Sequence, residues 1–373
     1  MALGIWRKES IHRLAFRIPG LVVGLLLALA LCQQPASAAS GPSFKGSGLS
    51  GFNGGKVRKL IVPSFTVHFL TRQTGTADSG KGFFANKRNT SSAGMYIDWR
   101  NPDAAMLKAL TEEAYVSFER HMADLGVDLV PRAQLIESEP YKAINGQTEP
   151  LVEENVVSVA PVGMKLYDPT GKIDPKGGFM LGVANSNGKL EADAAKALTG
   201  SLDGVAVARV NVNVSYGTFD SIAYSFTTMD STTSSASVKF SPVLTIPTTG
   251  GYLKASATGV TLGTAFESAK LPNGTEFALP KRNGSLELSA PVSGNIGVAT
   301  LTNTTTKGEK AALAAVNLLG ALVSVGSRGA EGFNTKADRY EATVIPAAFE
   351  SEAKTALEKI TQELASSIRS AIQ

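Results

Sequence analysis

Cysteine is almost missing from this 373-residue sequence, since Cys32 is the only one. It lies ahead of a candidate cleavage point at Ala38, so the chain beyond that point has no thiol, which excludes disulfides, thiolate zinc sites and a cysteine nucleophile. Histidine is scarce too, and only His68 and His121 follow residue 38. That leaves few ways to build a Ser-His-Asp relay, and no G-x-S-x-G elbow is present. A strong charge of one sign is also lacking. The formal net charge is +4, but Arg7, Lys8, Arg13 and Arg17 stand against Glu9 alone in the first 38 residues. The remainder is close to balance, and pairs such as Lys87–Arg88 and Lys281–Arg282 are isolated. Nucleic acid, which needs a concentrated basic face, is not an expected partner. Apolar runs stay short of the roughly 20 residues that a membrane helix requires.

The most specific pattern present is at the amino terminus. Those four basic residues precede the apolar run Leu21 to Leu31 and the small residues Ala36, Ser37 and Ala38, the signature of a secretory signal peptide over 1–38. Leu29, Ala30 and Leu31 precede Cys32 as a lipobox would, but Leu31 is larger than the small residue a lipidated cysteine needs in front of it. The expectation is therefore export without lipidation, to a periplasm, an outer membrane or the exterior.

Beyond the leader, Gly- and Ser-rich residues 39–55 read as a flexible spacer. An α/β domain is expected over 56–204. Lys59 to Thr71 is a strand; Asn101 caps and Pro102 opens a helix that ends at Gly126, with Met106, Leu110, Ala114, Phe118 and Leu125 inward. Val127 to Val130 is a short strand, Arg132 to Ile144 a second helix, Val156 to Val162 a strand and Glu191 to Leu202 a helix. Residues 205–305 form a β-rich antiparallel insertion or second domain. In its first strand Val210, Val212, Val214 and Tyr216 alternate with Asn211, Asn213 and Ser215, a dry and a wet face. Its hairpins read either as a half-exposed sheet or as pieces of an oligomeric membrane barrel. Residues 306–373 complete the core with a buried apolar helix at Ala311 to Val325, a strand at Arg339 to Ile345, and a helix opened by Pro346. The last has an apolar stripe through Phe349, Ala353, Leu357, Ile360, Leu364, Ile368 and Ile372. The fold class is α/β (α+β), a mixed sheet covered by helices.

Short motifs assign no catalytic, cofactor or metal residue. Gly75 to Gly82 (GTADSGKG) nearly matches a phosphate loop, but Gly82 replaces the magnesium-binding hydroxyl and no clear helix follows. Ser351 and Lys354 have the S-x-x-K spacing without its companion motifs. Asp168 and Asp174 in DPTGKID lack the distal glutamate of a calcium loop. Asp98, Trp99 and Arg100 offer either an aromatic contact site or a packing corner. His68, on a strand, is expected to be packed or hydrogen-bonded rather than a ligand.

The order LIVPSFTVHFLT, capped helix, a strand ending in Val130, Pro131 and Arg132, and QLIESEPYKAI, with LDGVAVARVNVNVSY after a further helix, resembles the periplasmic α/β domain of the CsgG and TolB amino-terminal type. The resemblance implies an envelope protein with protein partners; members of the curli-secretion branch are lipoproteins that oligomerise through β-hairpins. The expected function is non-enzymatic binding, assembly or export at the cell envelope, with a protein or envelope partner, membrane association or a homo-oligomer allowed. The alternative is an exported hydrolase using carboxylates or a serine.

Overall fold

The structure, a computed structural model, describes residues 41–52, 57–79, 89–167, 187–227, 232–250, 257–270, 276–314 and 332–373. The chain divides into two units, Met1–Gly41 and Pro42–Gln373. The leader, Cys32, Asp168 and Asp174 lie outside the described residues.

The second unit is a mixed α/β fold. In chain order its strands and helices are β1 (Phe44–Ser47), β2 (Lys59–Leu70), β3 (Arg72–Asp78), β4 (Asn89–Trp99), α1 (Ala104–Asp124), α2 (Arg132–Glu137), α3 (Glu139–Lys142), β5 (Leu151–Val152), β6 (Val156–Val159) and α4 (Asn187–Thr199). There follow β7 (Val205–Val214), β8 (Thr218–Thr227), β9 (Thr232–Ser241), β10 (Val243–Ile246), β11 (Gly259–Lys270), β12 (Glu276–Leu288), β13 (Val292–Gly297), β14 (Ala299–Asn303), β15 (Gly332–Val344) and α5 (Pro346–Ile372). A seven-stranded sheet runs β1-β12-β11-β7-β2-β6-β5, and a four-stranded sheet β14-β15-β4-β3. The pairs β10-β13 and β8-β9 form separate ribbons.

In the central strand β2, Leu60 and Val62 join the main core, but further along Phe65, Val67 and Phe69 do. The parity changes because the pairing with β7 slips between Ile61↔Val207 and Ser64↔Arg209, three steps on β2 against two on β7. One extra residue turns every later side chain over, and Pro63, unable to donate to a ladder, sits in that bulge. On one face, α1 and α5 cover Phe65, Val67, Phe69, Val210, Val212 and Val214. Tyr115 meets Phe65 edge-on at 5.2 Å. The opposite face begins apolar, where Ile61, Val205 and Val207 pack beneath Leu135, Tyr141 and Ala194 of α2, α3 and α4.

Every residue of the expected stripe on α5 is buried. Other expectations change. Residues 44–52 do not form a spacer: β1 pairs with β12, and Phe52 is buried. Phe44, Leu49 and Phe52 give this Gly/Ser-rich stretch enough apolar surface to dock. The cap of α1 is Asp103, whose Oδ1 accepts from Ala105 N at 2.9 Å and Met106 N at 3.3 Å. Asn101 instead takes a left-handed turn with φ 49°. Val127 to Val130 makes one parallel bridge, Leu60↔Leu129, and the second helix breaks at Ser138, whose ψ of 135° is extended. The β-rich stretch is no separate domain, since β7, β11 and β12 share the sheet of β2. Residues 307–314 are helical, but Ala311, Ala312 and Ala314 are exposed rather than buried; the rest of that apolar run lies outside the described residues.

Candidate functional site

Along the second face of the main sheet, polarity rises with distance from the α2–α4 cover. Past Val207 comes Arg209 on β7, paired with Glu191 of α4, whose side chain is fully buried. Arg209 Nε lies 2.9 Å from both Glu191 oxygens, and the Tyr167 hydroxyl donates to Oε1 at 2.6 Å. Burial and the adjacent carboxylate push the Tyr167 hydroxyl well above its ordinary range. Further along, Ser64, Thr66 and His68 of β2 adjoin Ser158 of β6 and Asn211 and Asn213 of β7. The expected wet face of β7 is thus dry at Asn213, which is fully buried and donates to Thr258 Oγ1 at 3.1 Å.

His68 is the hinge of this patch. Its Nδ1 is 2.8 Å from Ser158 Oγ and its Nε2 is 3.4 Å from Asn211 Oδ1. An amide oxygen only accepts, so Nε2 carries the proton and Nδ1 is left to accept from the serine. Burial lowers the pKa of the ring, outweighing the Asn211 bond and the charge of Glu153, and favours neutral imidazole. Serine, imidazole and amide stand in the order nucleophile, base and orienter. Ser158, however, is only 5% exposed at the middle of a strand pair, so its hydroxyl is shielded from a substrate carbonyl. His68 lies on a strand, as expected; its two partners, 90 and 143 residues away, carry no local signal.

The short motifs come apart. Gly75 to Asp78 lie inside β3 rather than in a loop, while residues 80–82 lie outside the described residues. Gly75 is there for packing: a Cβ at this position would strike Phe219 and come within 2.7 Å of Val238, on the β8–β9 ribbon. Lys354 bonds Glu113 at 3.1 Å and Glu350 at 3.2 Å, which commits its ammonium to carboxylates instead of an activated Ser351. Trp99 is buried, 5.1 Å from the Phe349 ring and 5.7 Å from Tyr216, so the packing reading of that corner holds. Its neighbours face ion pairs, Asp98 with Arg72 and Arg100 with Glu341. Among the described residues no group of three His, Cys, Asp or Glu is placed to hold a metal. No protein-family model, curated protein or solved structure matches the chain.

Proposed function

We propose that this chain is an exported cell-envelope protein, non-enzymatic, acting in binding, assembly or export at the periplasm or outer membrane. The observation that carries the reading is the basic head, apolar run and small-residue site of residues 1–38. The layout likeness to the CsgG and TolB amino-terminal type adds to it, as do two ribbons, β11–β12 and β8–β9, whose edges are open among the described residues. β11 pairs with β7 only over Gly259–Thr264 yet continues with β12 to Lys270, and β8 and β9 pair only with each other among the described residues. Unpaired strand edges are templates for another chain. Ile222, on β8, adds an apolar side chain that is 55% exposed. Partners of this kind are a protein, a second copy of the chain, or the membrane surface.

Fractionation of producing cells, with the mass of the mature amino terminus and the size of the detergent-extracted particle, tests the proposal. Processed protein in the envelope fraction is expected, and full-length protein confined to the cytoplasm would refute it. A second reading, an exported hydrolase, has the hydrogen-bonded order Ser158–His68–Asn211 in its favour and the shielding of the Ser158 hydroxyl against it. Covalent labelling of Ser158 by a fluorophosphonate, lost in His68→Ala, would favour it.

A further inference from the structure

Asparagine followed by glycine is a place where a chain readily rearranges its own backbone, because a residue without Cβ lets its amide nitrogen approach the preceding side chain. Asn145–Gly146, Asn187–Gly188 and Asn283–Gly284 are such pairs among the described residues; Asn53–Gly54 and Asn273–Gly274 lie outside them. The fold treats the three differently. Asn187 is 2% exposed at the start of α4, and its amide is engaged at both ends: Oδ1 accepts from Asn145 N at 3.0 Å and Nδ2 donates to Asn145 O at 3.1 Å. Asn283 is exposed but lies within β12 opposite Gly263, with Gly284 opposite Leu262. An extended strand carries each amide nitrogen away from the side chain before it, and leaving the ladder gives up its hydrogen bonds.

Asn145 has neither protection. It is exposed, in the bend between α3 and the Gln147↔Leu166 bridge, and its side chain makes no hydrogen bond among the described residues. The Gly146 N–H has no partner there either. The chain is pinned on both sides, Ile144 N to Tyr141 O at 3.0 Å and Gln147 to Leu166 through bonds of 3.1 and 2.7 Å. Only the joint between these anchors is free to turn. Bringing the Gly146 nitrogen onto Asn145 Cγ swings the Asn145 carbonyl and gives up a single bond, the one from Asn187 Nδ2.

We infer that Asn145 is a self-modification site, converting through a succinimide to aspartate and isoaspartate in the folded protein. The Gly146 nitrogen bonds to Asn145 Cγ, the Cγ–Nδ2 bond breaks, and the proton lost by Gly146 leaves with ammonia. Water then opens the ring at either carbonyl, so one water enters, one ammonia departs and nothing is oxidised or reduced. Opening at the main-chain carbonyl routes the backbone through Cβ, which lengthens the chain by one atom and pulls this bend off Asn187. The inference stands wherever the chain works. The test is incubation of the purified protein in warm, mildly alkaline buffer, followed by digestion, peptide mass spectrometry and labelling with an isoaspartyl methyltransferase. The peptide bearing Asn145 should convert about tenfold or more ahead of those bearing Asn187 and Asn283, which wait for local opening. In concentrated urea the three rates should converge, because the fold no longer chooses among them. Asn145→Gln should abolish labelling of this peptide and leave the urea midpoint unchanged, since the replaced side chain is unbonded. No isoaspartate at Asn145, conversion of Asn187 or Asn283 as fast in the folded protein, or the same ranking kept in urea would each overturn the inference.

Discussion

Replacing Arg209 by methionine is expected to be the most damaging single change on the second face of the sheet. Glu191 is fully buried, and its two oxygens face Arg209 and the Tyr167 hydroxyl. The arginine is 21% exposed and could partly reach water if the glutamate were removed; the glutamate has no such escape. Losing Arg209 therefore strands an anion in a desolvated site, and breaking a buried pair from one side costs about 3–5 kcal/mol. Glu191→Gln should cost less, since it leaves no charge without solvent. Replacing the whole group, Glu191→Leu with Arg209→Met and Tyr167→Phe, removes every polar atom together and should recover most of the loss. Urea unfolding followed by circular dichroism measures all of these. If Arg209→Met costs less than about 1 kcal/mol, or the triple variant is no more stable than the single one, the buried-pair reasoning fails.

Three further outcomes are expected. Burial pushes the Glu112 carboxyl up, but two bonds from Arg132, at 2.7 and 2.8 Å, and one from the Val162 N–H outweigh it and hold the pKa below the usual value. Its stabilisation is complete above the unfolded pKa of about 4.3 and is lost as pH falls through the folded value, so Arg132→Met should flatten the acid limb of urea midpoint against pH. His68, lowered by burial, has the opposite chemistry and the same limb: stability is full above about pH 6.5 and drains as pH falls toward the folded pKa, because the unfolded ring gains its proton first. His68→Gln should remove that component, and an unchanged profile would refute it. Gly75→Val should push the β8–β9 ribbon off β3, seen as faster limited proteolysis within 218–241 while the helical circular dichroism persists.

Much of the fold was legible because it is written in local periodicity. The α5 stripe and the alternation of β7 carry their period, and the β2 run its β-branched and aromatic composition, within a single element, and each element formed. Residues 44–52 misled because glycine and serine dominate their composition, whereas three apolar anchors decide their fate. The α1 cap was misplaced by two residues because Asn101 and Asp103 are both good caps, and only backbone geometry chooses between them. The dry side of β7 was illegible for a deeper reason: an asparagine reads as wet until its partner across the sheet is known. The same holds for the candidate site: His68 draws on β6 and β7, so the constellation has no spacing to find.

One feature of the topology bears on when this protein can fold. α1 is held against α5, with Ser117 bonded to Glu358 across 241 positions, and β4 runs parallel to β15. The first long helix therefore lacks its cover until the final 27-residue helix has been synthesised. Such distant pairings fold slowly. In synthesis from the amino terminus, closure of this helical layer waits on α5, so the polypeptide stays pliable until that helix has emerged.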